Sequence, residues 1–139
     1  MKFLHALSND HFLIGNEHQL DLIGIGGIGS RNFVETEYHW SINIGKSIDL
    51  VAVDDKSNYS INAECNMFLV VSDKDLYIYK YEYKKINIEP VSLPKVKLSD
   101  RPKFLQVTRD STITVIYEDK LEIFATSDGI VRKKCAKKF

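Results

Sequence analysis

Apolar and polar residues alternate with a period of two along most of this chain, and short polar clusters interrupt the alternation. The pattern is clearest over residues 103–129, KFLQVTRDSTITVIYEDKLEIFATSDG, and predicts three strands, FLQV, TITVIY and LEIF, joined by charged turns. Residues 2–28, KFLHALSNDHFLIGNEHQLDLIGIGGI, repeat it without a gap at a shift of 101, so Lys2, Phe3 and Leu4 fall on Lys103, Phe104 and Leu105. Glu17 and Leu20 fall on Glu118 and Leu121, and most other pairs are conservative, such as Phe12 with Ile113 and Asp21 with Glu122. A poorer copy lies between them at a shift of 45, where Phe68, Val70, Asp73, Leu76, Ile78 and Tyr79 fall on Ile113, Val115, Glu118, Leu121, Ile123 and Phe124. One strand-turn-strand-turn-strand unit is therefore written three times, which predicts an all-β fold assembled from like sheets.

The separators are good turn chemistry. Ser8-Asn9-Asp10 and Asn16-Glu17-His18 in the first unit carry side chains that bond their own backbone. FVETEYHWSINI (33–44) alternates cleanly, with Val34, Thr36, Tyr38, Trp40, Ile42 and Ile44 on one face, as a half-buried fourth strand would. SIDLVAV opens the second unit, and the loop after it, DDKSNYSINAEC, outgrows its counterparts, which is where binding residues tend to sit. In DLYIYKYEY, Leu76 and Ile78 alternate with a stripe of Tyr77, Tyr79, Tyr81 and Tyr83, either packing between sheets or a contact surface. Pro90, Pro94 and Pro102 make LPKVKLSDRP read as a connector rather than a central strand. The last segment, IVRKKCAKKF, suits an exposed sheet edge whose lysines discourage pairing, or a basic tail for nucleic acid. The units run over about 2–45, 46–93 and 102–139, within one domain of 139 residues.

Composition narrows the function. Formal net charge is zero, so no general attraction to nucleic acid or membrane is implied. The charge is nevertheless segregated: residues 16–75 hold ten acids and four bases, a net of −6, which the rest of the chain balances. That asymmetry points to a charged partner. The two cysteines, Cys65 and Cys135, do not make a disulfide framework and fit reduced thiols in a cytoplasm. Lys2 is followed by only a short apolar run, unlike a signal peptide, and no run approaches a membrane-spanning length.

Catalytic leads are few. Gly24-Ile25-Gly26-Gly27-Ile28-Gly29 matches GxGxxG, and a dinucleotide site there requires a helix directly afterwards. Residues 31–44 alternate with a strand period instead, and the glycines align with the turn at Ser127-Asp128-Gly129. His5, His11, His18 and His39 lack metal-ligand spacing, and no triad, nucleophile elbow or P-loop is present. The pairs Asp54-Asp55 and Asp73-x-Asp75 fall in turns, where solvated acids are common. No catalytic residue, metal ligand or cofactor is expected from this pattern.

Three strands, the last ending in LxIF, followed by Asp-Gly, resemble a blade of a WD40-like β-propeller. Leu121, Ile123, Phe124, Asp128 and Gly129 carry the resemblance, echoed by Leu20, Leu22, Ile23 and by Leu76, Ile78, Tyr79. The Trp-Asp dipeptide and the opening Gly-His pair are absent. A closed propeller needs about four blades, so three units imply an open partial propeller with uncovered edges. As a class, a small binding protein of this kind is similar to the immunity proteins of bacterial contact-dependent growth-inhibition systems. The expected role is then a non-catalytic inhibitor of a basic, nuclease-type toxin domain. Glu35, Glu37, Asp54, Asp55, Asp73 and Asp75 would meet the toxin's cleft, with Tyr59, Tyr77 and Tyr79 supplying contact area. The alternatives are a structural adaptor of a larger assembly and a nucleotide-binding enzyme using the Gly24–Gly29 turn.

Overall fold

Thirteen strands account for the regular structure of the described residues in a computed structural model of the chain. It describes residues 2–6, 11–26, 35–53, 66–81, 90–107, 112–127 and 129–139, with the backbone alone at 6, 11, 25–26, 35–38 and 66. The strands are β1 (Phe3–Ala6), β2 (His11–Gly15), β3 (Gln19–Gly26), β4 (Glu35–Asn43), β5 (Leu50–Val53), β6 (Asn66–Ser72) and β7 (Asp75–Tyr81). They continue as β8 (Val91–Ser92), β9 (Val96–Lys97), β10 (Phe104–Val107), β11 (Thr112–Ile116), β12 (Lys120–Ser127) and β13 (Ile130–Lys138). The described part of the protein is all-β, in three antiparallel sheets: β1-β2-β3-β4, then β5-β6-β7 with β8 and β9, then β10-β11-β12-β13.

The internal repeat survives as hydrogen-bond register. Phe3 pairs with Gly15 as Phe104 pairs with Ile116, and Phe12 pairs with Ile23 as Ile113 pairs with Phe124. Phe68 pairs with Tyr79 in the middle sheet, which is the same register at the shift of 45. One closing bond also recurs: the N–H of Ile44, Leu98 and Phe139 donates to the carbonyl of His18, Lys74 and Asp119, tying the end of each unit to its hairpin turn. In the middle unit the outer strand is split. β8 and β9 both pair with β7, and Leu93-Pro94-Lys95 interrupts them. LPKVKLSDRP holds no central strand, as expected of a connector, and it also carries the short outer strand β9. Val96 and Lys97 still pair with Leu76 and Asp75, because proline is tolerated on an outermost strand whose other edge needs no donor.

The alternation of 33–44 is also interrupted. Tyr38 pairs with Gly24 and Thr36 with Ile25, so Glu37 is an extra residue in the ladder, a β-bulge. Lys134 is the extra residue at a bulge in β13, between the partners of Ile123 and Phe124, two positions from the equivalent of the first bulge.

The sheets stack face to face, and each strand presents two faces because side chains alternate. We term "front" the face that carries Phe12, Phe68 and Ile113 in the first, middle and third sheets, and "back" the opposite one. One core cluster joins the back of the first sheet (Leu13, Leu20, Leu22) to the front of the middle sheet (Phe68, Val70, Tyr79, Tyr81). A second joins the back of the middle sheet (Leu69, Val71, Leu76, Ile78) to the front of the third (Leu105, Ile113, Val115, Phe124). The middle sheet is thus buried on both sides, which explains the unbroken apolar run MFLVV in β6. The linkers between sheets plug the ends of these cores, with Ile48 in the first and Leu98 in the second.

Candidate functional site

Of the acids singled out by sequence that the structure describes, Glu35 and Glu37 lie at one end of the sheets and Asp73 and Asp75 at the other. Asp73 sits in the turn between β6 and β7, beside the linker 44–49: its N–H donates to Asp49 Oδ2, and Ser72 Oγ donates to the Ser47 carbonyl. Glu35 begins β4, whose nine residues run down to that linker, so Glu35 and Asp73 are separated by roughly 25 Å of strand. Glu37 occupies the bulge close to Glu35. Asp54, Asp55 and Tyr59 lie outside the described residues, beyond the end of β5 at Val53.

Two of the acids have partners within the chain. The Asp75 carboxylate is 4% exposed, and three ammonium groups surround it: Lys46 at 3.0 Å, Lys97 at 3.3 Å and Lys95 at 3.9 Å. The hydrogen bond from Lys46 holds the Asp75 carboxyl below the usual carboxylate range against the opposing effect of burial, and Lys97 adds to it. Asp73 accepts from Arg101 Nε at 2.6 Å at an exposed site, and its backbone has a φ of 55°, a left-handed conformation that Asp tolerates in a tight turn. Asp75 therefore ties β7 to the linker 44–49 through Lys46 and to the outer strand β9 through Lys97.

The tyrosine stripe is divided in the same way. Tyr79 is 3% exposed and stacks on Phe68 with ring centroids 5.0 Å apart, while Trp40 of β4 meets both rings edge-on, at 5.7 Å and 6.1 Å. These rings join the first and middle sheets, a geometry that adds to their buried area. Burial raises the Tyr79 phenol above its ordinary pKa. Tyr81 is buried in the same cluster, and Tyr77 packs at its margin with Lys95 above its ring.

Sequence reasoning passed over Glu122, the positional equivalent of Asp21. Its carboxylate is 4% exposed on the front of the third sheet, where Lys133 Nζ at 2.9 Å and Ser99 Oγ at 3.1 Å donate to it. Burial pushes Glu122 up, yet the surrounding Tyr117 hydroxyl, Lys133 and Ser99 outweigh that and leave it below the usual range. Burial, followed by the nearby carboxylate, pushes the Tyr117 phenol well above its ordinary value. That hydroxyl makes no hydrogen bond of good geometry and is an unpaired buried polar group. In the first sheet Asp21 accepts from Gln19 and faces His39 Nε2 at 2.9 Å. The clue to Glu122 lay in the repeat, since a charge at a core position requires dedicated partners.

The glycine cluster begins within a strand. Gly24 and Gly26 belong to β3 and pair with β4, and Glu35–Asn43 is an antiparallel strand. Among the described residues no helix start follows these glycines. Likewise among the described residues, no group of three or more His, Cys, Asp or Glu side chains is placed to hold a metal ion, and no helix is long and apolar enough to cross a membrane.

Two surfaces remain open. The basic segment 130–138 is a strand, β13, at the outer edge of the third sheet, and it carries exposed Arg132, Lys133, Lys134, Cys135, Lys137 and Lys138. Ala125, Ser127, Ile130, Arg132, Lys133 and Lys134 line an open cavity of about 400 Å³ there. The second surface is apolar. Leu4 on the front of the first sheet is 56% exposed, and Phe104 on the back of the third is 53% exposed. No known protein family matches the chain, and no curated protein matches it in sequence.

Proposed function

We propose that this chain is a non-catalytic protein-binding module, an open arc of three propeller-like blades, that acts as an immunity protein against a basic, nuclease-type toxin domain. The observation that carries the reading is the separation of charge across the fold. The first and middle sheets with their linkers hold the acid excess, including exposed Glu17 and Asp49, whereas the outer strand of the third sheet is basic. An acidic surface would speed encounter with a basic cleft and set specificity. Support comes also from the inward-facing carboxylates: Asp75 and Glu122 are each held ionised by their own lysines, as structural charges are. Within this reading Glu35, Glu37, Asp54, Asp55 and Tyr59 are the residues proposed to meet the toxin, while the buried Asp75 and Tyr79 serve the fold.

The test begins with the neighbouring gene, expected to encode a large secreted protein with a variable C-terminal toxin domain. That domain, purified, is titrated with the chain by calorimetry, and its nuclease activity is followed. Stoichiometric inhibition is expected, with reversal of Asp54 and Asp55 to lysine weakening binding by about 1–2 kcal/mol or more. Absence of binding to that domain removes the immunity role. Unchanged affinity and salt dependence in the charge-reversed protein move the interface elsewhere.

A further inference from the structure

Both buried interfaces are of one kind: the back of one sheet meets the front of the next. Among the described residues there are two such contacts, and one front and one back take part in neither. The unmatched front is that of the first sheet, with Leu4, Phe12, Ile14 and Ile23. At the shift of 101 these positions are Leu105, Ile113, Val115 and Phe124, the side chains with which the third sheet already grips the middle one. The unmatched back belongs to the third sheet, with Phe104, Ile116, Leu121 and Ile123. Its equivalents in the middle sheet, at the corresponding register, are Leu50, Val71, Leu76 and Ile78, all in the second core cluster. None of the eight unmatched residues joins either cluster.

We infer that these two faces take a second copy of this chain, head to tail, so that two chains close a ring of six sheets. Leu105 packs on the cluster that includes Leu50, and the equivalents of that pair are Leu4 and Phe104, two of the most exposed large apolar side chains among the described residues. In the ring they face one another, and their exposure in the single chain is explained. Charge is complementary as well. The front of the first sheet presents Asp21, while the back of the third sheet presents Arg132 and Lys137 on β13. The number of copies follows from closure. Propellers close with about four to eight blades, so two copies fit and three do not. A head-to-tail contact that closes on itself is a ring. Each sheet face is roughly 19 Å by 17 Å at ordinary strand spacings, so two contacts cover on the order of 1,300 Å², within the range of stable dimers.

The inference rests on the stacked-sheet geometry and is independent of which toxin the module binds; a monomer that inhibits a toxin would remove the ring and leave the function standing. The test uses light scattering on the full chain at roughly 100 μM, where a micromolar Kd is saturated. A species of about 32 kDa is expected, twice the 16.0 kDa of one chain. Leu4→Asp and Phe104→Asp, both at exposed positions, should each raise the Kd for self-association at least ~10-fold. Mixing the two variants should restore a dimer, because one front and one back remain intact in the pair. Circular dichroism confirms that each variant is folded. A monomer at the highest concentration, a larger open assembly, or a mixture that stays monomeric overturns the inference.

Discussion

Phe68 and Phe12 occupy equivalent front positions, and the structure gives them opposite surroundings. Phe68 is 0% exposed, stacked on Tyr79 and touched edge-on by Trp40 from the first sheet. Phe12 is partly buried, and among the described residues no sheet lies over it. Phe68→Ala removes a fully buried ring and leaves a cavity between two rigid sheets, at a cost of about 3–5 kcal/mol. Phe12→Ala loses part of the transfer energy and leaves no enclosed cavity, so it costs about 1 kcal/mol. For a chain of this length the first change lowers Tm by roughly 10 °C or more and the second by roughly 3 °C. Both are measured by urea titration and thermal circular dichroism in a Leu4→Asp background, so that self-association does not enter. If Phe68→Ala abolishes folding, Phe68→Leu serves in its place, at roughly 1–2 kcal/mol. Equal losses at the two positions would refute the stacking order, since they would mean that both fronts are covered or both are open.

Asp75 and Glu122 titrate below their ordinary values in the folded chain, so each contributes stability above the unfolded carboxylate range near pH 4, and that contribution is lost as pH falls through the lower folded value. Urea midpoints should therefore drop steeply below pH 4, and Asp75→Asn with Glu122→Gln should flatten that limb; an unchanged limb would place the acid sensitivity elsewhere. Tyr117→Phe removes the unpaired buried hydroxyl and should leave stability unchanged or raise it by about 1 kcal/mol, whereas a comparable loss would reveal a working bond to Glu122. Gly129 has a φ of 76° and open space at the Cβ position, so Gly129→Ala should cost about 1 kcal/mol from backbone strain alone, and Gly129→Asn less, by thermal melting.

Much of the fold was legible because the repeat is local. The two-residue turn at Asp73-Lys74 joins β6 and β7, and the charged turns at Glu17-His18 and Glu118-Asp119 join their equivalents, at a register that short turns dictate. Two details escaped for physical reasons. Pro94 looked like the end of a sheet, yet an outermost strand can omit one donor and resume at Val96. The bulge at Glu37 leaves no trace in a period-two pattern, because an extra ladder residue is a matter of pairing with β3. Sign and nearness in sequence group the acids together, whereas strand direction sends Glu35 and Asp73 to opposite ends.

The amino-acid sequence by itself determined three like units, their hairpin registers and the two apolar faces of each sheet, since these depend on side-chain alternation and turn residues within a few positions of one another. Only the tertiary structure decided which faces are core. Ile113 and Phe12 sit at the same place in the same pattern, and one is enclosed while the other is only partly buried, because burial depends on whether a second sheet packs over that face. The same holds for charge. Asp75 reads as a solvated turn acid, and it becomes a buried tie only when the linker 44–49 brings Lys46 to it and the outer strand β9 brings Lys97.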